Sequence, residues 1–376
     1  MTALTGLAQS GITLLIFILM LGVLVVVHEL GHFIVARLAG VRVHEFGIGF
    51  PPRAKVLRSE GETVYTLNWL PLGGFVRLEG EDGESDDPRS FVRASLPVKL
   101  LILVAGVAMN VLLAIAIFTF IGWLPGQTGA LGFHDVQADS PAASVGLVGS
   151  DDGLPGLAGD RIVAIDGQQF HDFDGGQRLI DALRSKAGRS VTLIVLHNDG
   201  TEDSVIVKLR DPAALDAQHG PLGIVAPTFT AIGESFTRSP LEALQFGLAR
   251  TGEAFTLVTA GLAQLGDSIV NRPTEAPPVT GPVGIAVGVG DVFWQQGAIQ
   301  TLYLAGLLSA NLALVNILPI PPLDGGRMLL VVVRALSSAR VSLQVERLSI
   351  LVGFGLLAAL FFWVTFFDIA RLGGGQ

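Results

Sequence analysis

The sequence predicts a polytopic α-helical membrane protein of about four transmembrane helices, with a β segment after the first of them and one soluble α/β module. Three observations predict it. Half of the 376 residues are apolar and only 15% are charged, with a mean hydropathy of +0.58; this excludes an ordinary soluble enzyme and a disordered chain. Four runs approach the ~20 mostly apolar residues that a bilayer crossing takes: residues 12–38, 97–124, 299–318 and 349–367. Between the second and third runs lies a long stretch in which short β-branched segments alternate with a helical one. The net charge of −9 and the lack of a basic run exclude nucleic acid as a partner. There is no cysteine, so a metal must be held by His, Asp, Glu or backbone oxygen.

Residues 1–40 form the first transmembrane helix. No Lys or Arg precedes its apolar run in MTALTGLAQS, and HELGH continues it where a cleavage site would stand. The run therefore reads as retained rather than as a secretory signal. Residues 41–96 read as strands or hairpins, with rough alternation in TVYTLNWL and glycine punctuation in FGIGF and PLGGFVRL. The acidic EGEDGESDDPRS that follows is a solvated loop without assigned function. Residues 97–125 are the second helix. In 127–228, strand-like RIVAIDG, VTLIVLHNDG and SVIVKL alternate with helical GGQRLIDALRSKAG.

Residues 229–298 open with an amphipathic helix, 241–265. Glu242, Arg250 and Glu253 interrupt it, so it belongs on the membrane surface or against a partner helix. The following TEAPPVTGPVGIAVGVG is too polar and broken to span, and is expected as a loop near the membrane surface or lining a cavity. Residues 299–326 are the third helix, containing Asn311 and Asn316; 327–348 are a loop or helix; and 349–371 are the fourth helix. Arg and Lys cluster near the span ends within 37–99 and 327–347, whereas the N-terminus has none. The positive-inside rule then makes those segments cytoplasmic and the α/β module extracytoplasmic.

The first helix buries a costly group of side chains. A centrally placed charge costs at least ~2.5–3.5 kcal/mol in the bilayer, so intramembrane ionisable residues mark function by default. His28 and His32 are i and i+4, on one helix face about 6 Å apart. His-Glu-x-x-His is a recurrent zinc-hydrolase arrangement, with Glu29 placed to take a proton from water whose pKa zinc lowers from about 15.7 to about 7. The bland alternative, two histidines packed against helix neighbours, suits the histidines at 44, 134, 171, 197 and 219, which show no such spacing.

A catalytic zinc takes a third protein ligand and an open position. The candidate is Asp324, in NLALVNILPIPPLDGGR, preceded by Pro319, Pro321 and Pro322 and followed by Gly325 and Gly326. Prolines stop a helix, glycines permit a sharp turn, and irregular backbone at membrane depth lines a cavity. Spacing alone leaves open a second role for Asp324, as the N-cap of a helix starting near Arg327. Asn311 and Asn316 serve either helix packing or binding of the substrate backbone or oxyanion.

HELGH in a first span together with NILPIPPLDGG in a later one resembles the site-2 protease family of intramembrane zinc metalloproteases, and its bacterial RseP-type branch with a single PDZ domain most of all. FGIGFPP and PLGGFVRLEG resemble the family's membrane-associated β segment. VQADSPAASVGL, GDRIVAIDG and GPLGIVAP are similar to a bacterial PDZ domain, GPVGIAVGVG to a segment before the third span, and VAGVAMN to the pattern ending in Asn110. Val107 departs from the usual proline, residues 148–157 separate normally contiguous PDZ elements, and there is room for one PDZ domain where many members have two.

The resemblance implies one Zn²⁺ per chain on His28, His32 and Asp324, with Glu29 as general base. It places substrate near Asn316, Asn311 and Asn110 and along strand edges that include Gly47 and Gly49 or Gly73 and Gly74. It further implies cleavage of single-span membrane proteins, such as anti-sigma factors or remnant signal peptides, after trimming by an upstream site-1 protease. The setting is the bacterial cytoplasmic (inner) membrane, in contact with the lipid bilayer. Two rival classes are a proteolytically silent PDZ scaffold, against which an intact Glu29 counts, and a metal transporter, against which the lack of a second HELGH or LDGG copy counts.

Overall fold

The computed structural model describes residues 3–59, 61–81, 85–150, 159–170, 175–216, 219–336 and 343–373. His171, Ser338 and most of 148–157 lie outside the described residues. The chain divides into two compact units, one formed by Met1–Ile121 with Leu241–Gln376, the other by Gly122–Pro240. Four helices are long and apolar enough to cross a membrane, at Gln9–Leu38, Leu96–Trp123, Ala298–Asn316 and Leu348–Arg371.

Helix α1 (Ala3–Leu38) is built from Leu, Ile and Val and stops at glycine. Gly40 has φ +79°, its N–H donates to Arg37 O, and Val41 N–H reaches back to Ala36 O. This pair of bonds satisfies the last carbonyls of the helix, and the left-handed turn costs glycine little. The chain then enters two long antiparallel strands, β1 (Val43–Arg58) and β2 (Val64–Leu78). Both strands bend back on themselves. Residues 45–48 consequently lie opposite 64–67 on one side and 74–77 on the other. Residues 46–48 of the expected exposed edge 46–49 are therefore interior to the sheet, whose two outer segments among the described residues are 74–78 and 53–58. Helix α2 (Leu96–Trp123) follows.

The second unit is an antiparallel sheet with a helix against it. Its elements are β3 (Gly126–Gly132), β4 (Asp135–Val136), α3 (Pro141–Ser144), β5 (Arg161–Ile165), β6 (Gln168–Gln169), α4 (Gly175–Ser185), β7 (Ser190–Leu196), β8 (Glu202–Lys208), β9 (Ile224–Val225) and β10 (Thr228–Phe236). The main sheet runs β10-β3-β5-β7-β8, and β4 pairs with β9. Alternation in β7 buries Val191, Leu193 and Val195 on one face, where they join Leu179 and Leu183 of α4 in the core. The unit outruns the expected 127–228 because β10 pairs with β3 as far as Phe236 opposite Gly126.

Back in the first unit, α5 (Pro240–Asn271) buries Ala243, Gly247, Arg250, Thr251 and Ala254 along one stripe. A Cβ on Gly247 would fall 2.8 Å from Ile115 O of α2, so this helix has a partner helix on that stripe. Helix α6 (Pro282–Gln296) corrects the expected GPVGI loop. Pro282 takes the first helical position, which its fixed φ suits. The orphan N–H groups of Gly281 and Gly284 donate to the Asp368 carboxylate at 3.1 and 2.8 Å. That cap lies 84 residues or more away in sequence, out of reach of local reading. Helices α7 (Ala298–Asn316), α8 (Asp324–Leu336) and α9 (Leu343–Gly373) complete the unit.

Candidate metal centre

Three lone-pair atoms from two distant parts of the sequence meet inside the first unit. On α1, the rings of His28 and His32 stand edge to face with centroids 4.8 Å apart, and their Nε2 atoms are 3.2 Å apart. Asp324 Oδ2 lies 2.9 Å from His28 Nε2 and 3.3 Å from His32 Nε2. All three residues are buried. Glu29 is close by, its carboxylate within 4.8 Å of the histidine nitrogens.

The tautomers are fixed from behind. His32 Nδ1–H donates to the Ile102 carbonyl at 2.8 Å, which leaves Nε2 as an acceptor. Asn110 Nδ2 lies 3.2 Å from His28 Nδ1, while Asn110 Oδ1 is buried without a hydrogen-bond partner. With the two near-isosteric amide atoms exchanged, the oxygen accepts from His28 Nδ1–H, which again bares Nε2. Asp324 Oδ2 is likewise buried with no hydrogen bond. Three mutually repelling acceptors at this range need a cation between them. Ligands ~2.0–2.1 Å from a tetrahedral zinc stand roughly 3.3 Å apart, so the donor set fits Zn²⁺.

Close backbone approaches make room for this arrangement. A Cβ on Gly106 of α2 would collide with His32 Nε2 and lie 2.8 Å from His28 Cε1, and one on Gly31 of α1 would strike Ala105 O. Ser309 of α7 donates to Asn110 O at 2.8 Å, fixing α7 to α2. Gly31, Gly106 and Ser309 escaped sequence reading; the spacing of Gly106 to Asn110 in GVAMN was their available signal. Helix α8 begins at Asp324 itself, and the carboxylate turns to the histidines instead of capping a later helix start.

A cavity of ~70 Å³ adjoins the site, lined by Glu29, His32, Val76, Leu78, Asp324 and Arg327 among others. Arg327 pairs with Glu81 at 2.7 Å across it. The free strand edge enters here: a Cβ on Gly74 would lie 3.7 Å from Glu29 Cγ, and one on Gly73 (φ +91°) 3.0 Å from Val25 Cγ1. Gly47 and Gly49 face other parts of the same sheet, against Phe75 and the carbonyls of Asn68 and Leu70. Asn110 has no exposed surface. Asn311 and Asn316 are half-buried on α7, and neither lines the cavity.

Comparison with known proteins follows the same lines. The sequence model of Peptidase family M50 matches residues 16–360. A Clostridium acetobutylicum protein, named as a candidate zinc metalloprotease, is 31% identical over 96% of this chain and 98% of its own length. Zinc metalloproteases RasP of Geobacillus kaustophilus and Oceanobacillus iheyensis are each 27% identical, over 94% and 96% of this chain and 97% and 99% of their own lengths.

Proposed function

The chain belongs to peptidase family M50 and is a membrane zinc metalloprotease; on that premise we propose that it cuts single-span membrane proteins within the bilayer, with anti-sigma-factor-like regulators and remnant signal peptides as substrates. The observation that carries this reading is the convergence of His28, His32 and Asp324 beside Glu29 and a free strand edge, on helices apolar enough to span.

His28, His32 and Asp324 would hold the zinc, and Glu29 is the general base. When bound, zinc polarises the scissile carbonyl and acidifies water. A transmembrane helix resists cleavage because its carbonyls are hydrogen-bonded and crowded, so the substrate unwinds and adds as a strand to the edge at 73–78. Gly73 and Gly74 let that edge run close to Glu29. There Glu29 takes the proton of the attacking water and returns it to the leaving amine. Asn316 and Asn311 contact substrate further along α7, while Asn110 keeps His28 in register.

The second unit is read as a PDZ domain on the extracytoplasmic side. A cavity of ~360 Å³ between α4 and β9, lined by Ile180, Leu183, Arg184, Gly223 and Ile224, supports peptide binding there. In this role it filters substrates by size or reads a tail left by an upstream protease. Cysteines placed at the exposed Ser59 and Ser204 of this cysteine-free chain are expected to label from opposite sides of the bacterial cytoplasmic membrane. Labelling of both from outside intact cells refutes the topology.

Cleavage itself is tested with purified full-length protein in micelles and a single-span substrate trimmed on its extracytoplasmic side. Products are expected to end inside the apolar segment, to vanish with a zinc chelator and to return with added Zn²⁺. Cleavage confined to the flanks of the span, or indifferent to the chelator, overturns the proposal.

A further inference from the structure

Among the described residues helix α9 supplies no atom to the metal centre, yet it bears on the loop that carries Asp324. Its buried residues, among those described, are Gly353, Val364 and Asp368. Separations of eleven and four residues put the three on one helix face. At one end of this face Asp368 caps α6. At the other, Gly353 lies directly on the backbone of Pro321.

The contact leaves no room for a side chain. A Cβ on Gly353 would meet Pro321 O at little more than a covalent bond length, with Pro321 Cα only 3.3 Å away. The same loop is also close to the start of α8: a Cβ on Gly326 would fall on Pro321 N and one on Gly325 on Ile317 O, both closer than the 3.0 Å that real Cβ atoms respect. The loop 317–323 thus packs on both α9 and the first turn of α8, backbone against backbone. That first turn starts with Asp324. A loop displaced from α9 also shifts the backbone on which Gly325 and Gly326 pack, and Asp324 with it.

We propose that Gly353 is a positioning residue for Asp324, fixing through the Pro321 carbonyl where the carboxylate stands over His28 and His32. The inference rests on reading Asp324 as the third zinc ligand. Zinc sites accept ligand distances within ~0.2 Å of ideal, whereas relieving the overlap at Gly353 moves backbone by roughly an ångström or more.

The test measures zinc affinity by chelator competition on the full chain in micelles, together with thermal unfolding of the zinc-stripped protein. The variants are Gly353→Ala, Gly355→Ala, Asp324→Ala and the Gly353→Ala/Asp324→Ala double. Gly355 is the matched control, on the same helix with nothing within 4 Å of its Cβ position. Gly353→Ala is expected to weaken zinc ten- to a hundredfold, the range for residues that support a ligand, and Gly355→Ala to leave it unchanged. In the Asp324→Ala background Gly353→Ala is expected to add no further loss, because it acts through the missing carboxylate. Wild-type zinc affinity in Gly353→Ala, an equal loss in both backgrounds, or a zinc-stripped Gly353→Ala that unfolds where Gly355→Ala does not, each overturns the proposal in favour of plain helix packing. Wild-type affinity in Asp324→Ala overturns the ligand reading itself, an outcome distinct from the other three.

Discussion

Glu29→Gln is expected to keep its zinc and lose cleavage by about 10²–10⁴-fold or more, the range that general acid–base catalysis contributes. The substitution preserves size and shape but removes the group that can accept a proton. Glu29 sits where such a group is needed, next to His28 and His32 and close to the strand edge at Gly74. By proximity alone it competes with Asp324 for the third ligand position. Orientation decides between them: residues adjacent on a helix project about 100° apart, so Glu29 leaves the face that His28 and His32 share. Asp324 Oδ2 instead stands within 3.3 Å of both Nε2 atoms. The loss should fall on kcat with KM little changed, since the interaction is made in the transition state. Normal turnover by the Gln protein sinks the catalytic assignment, and loss of zinc from it makes Glu29 a ligand.

The parts of this site legible in the sequence are those fixed by local periodicity. His28 and His32 at i and i+4 meet because a helix returns to the same face after one turn, and the apolar runs mark the helices that carry them. Asp324 was legible as a carboxylate among prolines and glycines, though spacing left its role open. The structure brings it to the histidines because the loop at 317–323 packs on Gly325 and Gly326, a contact without periodic signature. The GPVGI segment read as a loop because its cap, Asp368, is supplied from another helix. The strand edge was misjudged for a similar reason. Glycine punctuation and nearby alternation indicate strands in this stretch, but not that the bend in β2 gives 45–48 neighbours on both sides. Asn110 was marked only through the resemblance carried by VAGVAMN, and packing alone assigns its amide to His28.

Purified protein is expected to hold about one zinc per chain, and removal of any one of His28, His32 or Asp324 by alanine should weaken it by roughly 10²–10³-fold. That magnitude follows from dividing the ~10–16 kcal/mol of a four-ligand structural zinc site evenly, which gives about 2.5–4 kcal/mol per ligand. With Asp324→Ala the two Nε2 atoms remain 3.2 Å apart and still chelate, whereas the His28→Ala/His32→Ala protein keeps only the carboxylates of Asp324 and Glu29 and should bind none. Asp324→Asn separates charge from geometry. It retains an oxygen at the same reach, so an intermediate loss is expected, smaller than for alanine. Metal analysis after dialysis against a graded chelator series reads all of these on one scale. Full zinc retention in the double histidine variant, or an Asp324→Ala protein indistinguishable from wild type, would place the metal elsewhere in the chain.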